Sequence, residues 1–154
     1  MIEAAYVVIL ALAAYSDARR FIIPNIYPLL LLLLGGIASF AGFPFAAPLW
    51  SHLLHFAIAL GAGMLLFHLG WFGGGDVKLY AAVSLWFALS NGLFLLLVVS
   101  LSGVAVVLLS IVLRLGLTAF GRADRTKGSF MKRRIAYGLA IGGGGIASML
   151  LVYP

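Results

Sequence analysis

The sequence predicts an all-α membrane protein, one polytopic helix bundle of about six transmembrane helices with both termini outside. Three observations lead there. Of the 154 residues, 64% are hydrophobic and 9% charged, whereas a soluble globular domain carries about 25% charged residues. The apolar residues form continuous runs that suit helical spans of about 20 residues, without the alternating segments of about ten that a membrane barrel needs. The basic residues gather in the breaks between those runs.

The first span runs from Ile2 to about Asp17. A secretory signal would place basic residues ahead of its apolar run. Here Met1-Ile2-Glu3 carries an acid, and Arg19-Arg20 follow the run, so a retained helix is expected. The span is short, which puts Asp17 at the interface with Arg19 and Arg20 snorkelling outward. Pro24 marks the start of the second helix, from about Asn25 to Phe40. Gly42 to Pro48 is an uncharged turn, and the third helix covers about Trp50 to Trp71. The run Gly73-Gly74-Gly75 then breaks the pattern. A fourth helix is expected from about Asp76 to Leu89, a turn at Ser90-Asn91-Gly92, and a fifth helix from Leu93 to Leu113.

From Arg114 to Arg134 seven basic residues accompany only Asp124, the composition of a solvated, partly helical surface loop. The last span is about Ile135 to Val152. Its glycines, with Gly138 and Gly142 four apart and Ala140 and Gly144 repeating that spacing, suit close helix packing. Gly35, Gly36, Gly61 and Gly63 are read the same way.

The charge pattern orients the bundle. The first, third and fifth connections carry Arg19 and Arg20, Lys78, and the seven-residue basic cluster; the second and fourth carry none. Odd connections are therefore cytoplasmic. Without a break at Ser90 to Gly92, Val77 to Leu113 would be one helix of about 55 Å in a core of about 30 Å. A net charge of +6 is compatible with nucleic acid, but basic residues flanking spans mark the membrane, so lipid is the expected partner and nucleic acid is not. The absence of cysteine excludes a disulfide framework, a thiolate zinc site and a cysteine nucleophile.

Two of the four acids lie at same-side ends of different spans. Asp76 reads either as a helix N-cap or as a functional acid at membrane depth, with glycines admitting close backbone approach. Asp17 reads either as a solvated acid beside two arginines or as its partner. Two carboxylates in one site do not both ionise readily, so one keeps a proton. The ionised one takes a proton from water while the other polarises a peptide carbonyl. That is aspartic protease chemistry, titrating as a unit. Lys78, two residues beyond Asp76, points to a different side of the helix and is either an interfacial anchor or a group tuning the acids. His52 and His55, beside Trp50 at the end opposite the acids, are too few for a metal site and read as an interfacial pair. His68 lies nearer the acids without a recognisable partner.

Gly73-x-Gly75-Asp76-x-Lys78-Leu79 resembles the signature of the GxGD aspartic proteases of the prepilin peptidase (type IV leader peptidase) family. Asp17 with Ile23-Pro24-Asn25 is similar to that family's other catalytic segment. Arg134-Ile135-Ala136-Tyr137-Gly138-Leu139-Ala140 is loosely similar to its C-terminal segment, with Ala136 where proline is commoner. The resemblance implies that Asp17 and Asp76 are catalytic, that Gly73, Gly75, Lys78, Pro24 and Asn25 support them, and that no metal or organic cofactor takes part. It further implies a multi-pass protein of the cytoplasmic (inner) membrane with its active site at the cytoplasmic face. The substrate would be a prepilin- or pseudopilin-like precursor with a single apolar helix. Larger members carry a zinc-binding cytoplasmic segment with paired cysteines and methylate the new N-terminus. With no cysteine, this chain resembles the short peptidase-only branch associated with Flp (Tad) pili, and residues 1–154 are expected to form one membrane-embedded peptidase domain. Two other classes use the same features: a proton-coupled transporter or channel subunit with the acids as carriers, and a non-catalytic assembly protein of a pilus or secretion machine.

Overall fold

The computed structural model describes residues 1–45, 47–119 and 137–153, with side chains described to residue 113 and again from 137. Among these residues the chain forms six α-helices and one 3₁₀ turn: α1 (Ile2–Arg20), α2 (Ile26–Phe40), α3 (Leu49–His68), α4 (Gly74–Ser84), the turn Leu89–Asn91, α5 (Gly92–Ala119) and α6 (Tyr137–Val152). Most of the basic segment expected between the last two spans, residues 120–136, lies outside the described residues.

The first two helices run as the apolar pattern predicts. Phe21 ends α1 in the left-handed conformation (φ 52°) and donates its N–H to the Asp17 carbonyl at 2.8 Å, turning the chain toward α2, whose N-cap is Asn25. α3 stops at His68, three residues before the expected Trp71. Gly70 supplies the reason: at φ +76° it donates to Phe67 O at 2.9 Å while Trp71 N–H reaches Leu66 O at 3.0 Å, which is a Schellman cap. α5 departs in the other direction. It begins at Gly92, which composition assigned to the turn, and continues past Leu113 to Ala119.

α4 is the larger departure. It ends at Ser84 rather than Leu89, so its 11 residues span about 16 Å, half the thickness of a bilayer core of about 30 Å. It is also the central element. Val77, Leu79 and all of Ala81 to Ser84 are buried, as a helix packed on every side must be. α3 lies along it, α2 and α6 touch its other faces, α1 bridges α2 and α6, and α5 packs on α6. The outer surface is apolar: Val8, Leu12, Leu33, Ile58, Leu97, Leu101 and Leu150 are all exposed. Two helical stretches, Leu49–His68 and Leu89–Leu113, are long and apolar enough to cross a membrane, and α2 and α6 are shorter apolar helices.

Non-helical backbone at membrane depth is tolerated only where protein groups satisfy it, and between residues 85 and 89 side chains reach three carbonyls and one amide. His52 Nδ1 donates to Leu85 O at 3.1 Å and His55 Nδ1 to Phe87 O at 2.9 Å. Ser51 Oγ accepts from Leu89 N–H at 3.0 Å, and Tyr153 OH donates to Trp86 O at 3.0 Å. The Trp86 indole N–H in turn reaches Leu31 O at 3.3 Å. The two histidines are thus not an interfacial pair. They are 2% and 5% exposed and hold the broken end of α4.

Glycines set the helix spacing. A Cβ on Gly142 would stand 2.9 Å from Ala14 Cβ, one on Gly144 2.6 Å from Val99 Cα, and one on Gly63 2.6 Å from Val77 Cγ1. Gly35 packs near Leu85 and Trp86, but Gly36 and Gly61 face open space, so the packing role expected of those two does not hold. Gly144→Ala drives a methyl into the α5 backbone and is expected to cost about 1–3 kcal/mol, read as a lower thermal midpoint in detergent. Gly36→Ala, with nothing within 4 Å, is expected to leave the midpoint in place. Equal midpoints for the two variants would contradict the α5–α6 contact.

Candidate active site

Asp17 occupies the last turn of α1 and is 5% exposed. Its Oδ2 accepts the Gly138 amide of the first turn of α6 at 2.7 Å. The free amides at a helix N-terminus carry partial positive charge and hold anions, so α6 supplies the carboxyl with a partner that no side chain among the described residues provides. Only glycine permits this approach. A Cβ at position 138 would lie 2.7 Å from Asp17 Oδ2 and 2.8 Å from both Asp17 Cβ and Ile23 Cδ1.

Asp76 is the third residue of α4 and is partly buried. It is not the N-cap, a position that Gly73 takes. The carboxylate folds back over Gly73, where a Cβ would come 2.6 Å from Oδ2. This is the return half of a capping box, in which an acidic side chain at the third helical position reaches the N-cap backbone. Gly75 serves another contact: a Cβ there would stand 3.2 Å from Ile23 Cβ and 3.4 Å from Ile23 O. The two glycines of the motif therefore do separate work, one admitting the acid's own carboxylate and the other the connection that follows Asp17.

Ile23 joins the two halves. It is 7% exposed, with Gly75 against its backbone and Gly138 against its side chain. Around it Asp17 and Asp76 come near enough for the charge of Asp17 to act on Asp76. Lys78 leaves the acids alone and donates from Nζ to Asn25 Oδ1 at 3.1 Å, tying α4 to the cap of α2 outside the acid pair. Pro24 sets up that cap, its carbonyl accepting from Tyr27 N–H at 3.2 Å. Arg19 lies over the Tyr15 ring, 5.1 Å from its centre, and His68 is exposed.

All the residues singled out in the two motifs thus converge on one end of the bundle. Sequence reasoning missed Ile23 as the spacer and Gly138 as a partner of Asp17, although both stand in quoted segments. The only signals were the glycine spacing in the last span and the apolar residue just before Pro24. Chemically, paired carboxyls suit general acid–base work on one bond. No group of three or more metal-ligating side chains occurs among the described residues.

A model of the type IV leader peptidase family matches residues 4–108, a stretch that holds both acids, their glycines, Pro24, Asn25 and Lys78 and ends before α6. No curated protein and no solved structure matches the chain. Gly138→Ala is expected to destabilise the bundle by about 1.5–3 kcal/mol, the range for a hydrogen bond to a charged group. Gly143→Ala meets only Ser102 Oγ, at 3.0 Å, and is expected to be milder. Thermal midpoints measured side by side check the order, and the reverse order would refute the α6–Asp17 contact.

Proposed function

The chain belongs to the type IV leader peptidase family, and from that premise we propose that it is a membrane aspartic endopeptidase. In this reading it removes the short leader from prepilin-like, Flp-type precursors at the cytoplasmic face. The observation that carries the proposal is the convergence of Asp17 and Asp76, from two separate helices, around Ile23.

The chemistry follows from the pair. One carboxylate removes a proton from a water molecule, whose oxygen attacks the scissile carbonyl carbon. The other carboxyl, protonated, donates to the carbonyl oxygen, so the tetrahedral adduct forms without a free oxyanion. Collapse of the adduct breaks the C–N bond as a proton passes to the leaving nitrogen. Gly73 lets the Asp76 carboxylate fold back and Gly75 lets Ile23 approach, and the Lys78–Asn25 bond holds the two connections in register.

The same reading completes the topology. Six spans, with the segment 85–91 extending the short α4, leave both termini outside and the connections bearing Arg19, Arg20 and Lys78 at the cytoplasmic face of the inner membrane. Residues 1–154 then act as one membrane-embedded peptidase domain. Clustering of both acids at one end of the bundle favours hydrolysis at one face over proton carriage across it.

Asp17→Asn and Asp76→Asn are each expected to abolish leader loss from a co-expressed precursor, read by mass, with the thermal midpoint of the bundle retained. A variant that still processed at the wild-type rate would remove that acid from the mechanism. Because one acid must be ionised and the other protonated, cleavage rate is expected to follow a bell-shaped pH profile. A rate that climbs to a plateau with rising pH would indicate a single base instead.

A further inference from the structure

α3 and α5 diverge from the turn at Leu89–Asn91 and leave a cavity of about 730 Å³ between them. Asp76 lines one end of it and His55, Leu89 and Gly92 the other. Its floor is α4 and α6. The walls are apolar and low, lined by the exposed small residues Ala62 on α3 and Ser100 on α5. Small residues of this kind let a helix backbone approach closely. The α5 wall runs from Leu93 to Leu108, about 22 Å or four turns of helix.

The far end is polar in one place. His55 is 5% exposed. Its Nδ1 faces the Phe87 carbonyl, which only accepts, so the proton sits on Nδ1 and Nε2 is left as an acceptor. That Nε2 lies 3.2 Å from where a Cβ on Gly92 would stand, at the cavity wall, and no hydrogen bond to it is formed among the described residues. A lipid acyl chain would leave this acceptor unpaired in hydrocarbon, whereas a peptide helix with one donor side chain satisfies it.

Its distance from the acids is fixed by α3. Gly63 packs on Val77, the neighbour of Asp76, and His55 stands eight residues before Gly63, about 12 Å along the helix. A helix lying in the groove with its cleaved bond at Asp76 therefore brings a residue about eight to ten positions beyond the cut to His55.

We propose that this groove seats the apolar helix of the precursor, and that His55 Nε2 accepts a hydrogen bond from a Ser, Thr, Asn or Gln side chain two to three turns beyond the cut. The proposal rests on the peptidase reading and adds to it a docking surface and a specificity contact.

The test uses full-length protein in membranes with a co-expressed precursor of short basic leader and apolar helix. A photo-cross-linking residue replaces Ala62 in the groove or, as a control, Leu97, which is exposed outside it, in the Asp76→Asn background. Cross-linking to the precursor from position 62 and not from 97 is expected. Phospholipid alone at 62, a second copy of this chain, or equal capture at both positions would overturn the proposal.

With active protein, Ala62→Trp is expected to lower kcat/KM for the full precursor at least tenfold relative to a peptide holding only the leader and the cut site. An unchanged ratio would again overturn the groove. His55→Asn keeps a donor for Phe87 O and removes Nε2. It is expected to raise KM severalfold more for a precursor with the matching donor than for one whose helix is wholly apolar; equal effects on both would end the specificity contact. Wild-type protein that cuts neither substrate would refute the peptidase reading, while the cross-link would still decide the groove.

Discussion

The amide of Gly138 on the carboxyl of Asp17 is the contact around which the other helices must be arranged. An acid 5% exposed at the end of an apolar helix needs a partner, because an unpaired polar group away from water is expensive. The partner here is backbone, so the first turn of α6 has to touch α1 with nothing between them. Position 138 must then lack a side chain. The demand propagates: Gly142 and Gly145, four and three residues further along, present the same face to Ala14, Leu10 and Tyr6. Tyr6 OH closes the far end of that seam on Gly145 O at 3.3 Å. Gly144, on another side of α6, meets Val99 of α5. One buried carboxyl thus accounts for a glycine-rich helix lying between α1 and α5.

The second acid depends on a different economy. α4 is short and central, and its first turn must point at Ile23 while its last turn is still inside the bundle. A helix of 11 residues that stops there exposes carbonyls to hydrocarbon unless something reaches them. His52, His55 and Tyr153 reach the carbonyls of residues 85–87 from elements distant in sequence, and Ser51 accepts the Leu89 N–H that follows. Side chains at one end of α3 therefore hold the far end of the helix that carries Asp76, and Gly63 against Val77 sets its height.

These two arrangements differ in how far the chain announced them. Acids are rare in an apolar chain, so Asp17 and Asp76 were visible at once, and their same-side placement followed from the distribution of arginine and lysine. The starts and ends of α1 and α2 were legible because Pro24 and Gly42 punctuate a continuous apolar run. The end of α4 was not. Leu85 to Leu89 is apolar throughout, and helix and irregular backbone read alike when the deciding hydrogen bonds come from residues more than thirty positions away. For the same reason two histidines three apart suggested an interface, since local spacing says nothing about carbonyls on a neighbouring segment. The Lys78–Asn25 bond crosses 53 residues and was equally hidden, although both partners belonged to recognised motifs. Glycine identity misled in one respect: Gly36 and Gly61 share the composition signal of Gly35 and Gly63 but face outward.

The unequal burial of the two acids bears on how the proposed site would work. Asp17 is enclosed by α1, α6 and Ile23, whereas Asp76 is only partly covered and lines the apolar groove. On the proposed function, hydrolysis would need water at the pair, while an apolar substrate helix would arrive from the lipid side. A fully buried pair would exclude water, and a fully exposed one would sit where no apolar helix remains. The first turn of α4 resolves this, because Asp76 is only partly covered there while Val77 and Leu79, which follow it, are buried. The change from partly covered to buried thus takes place within a single turn of α4, with Asp76 at the step.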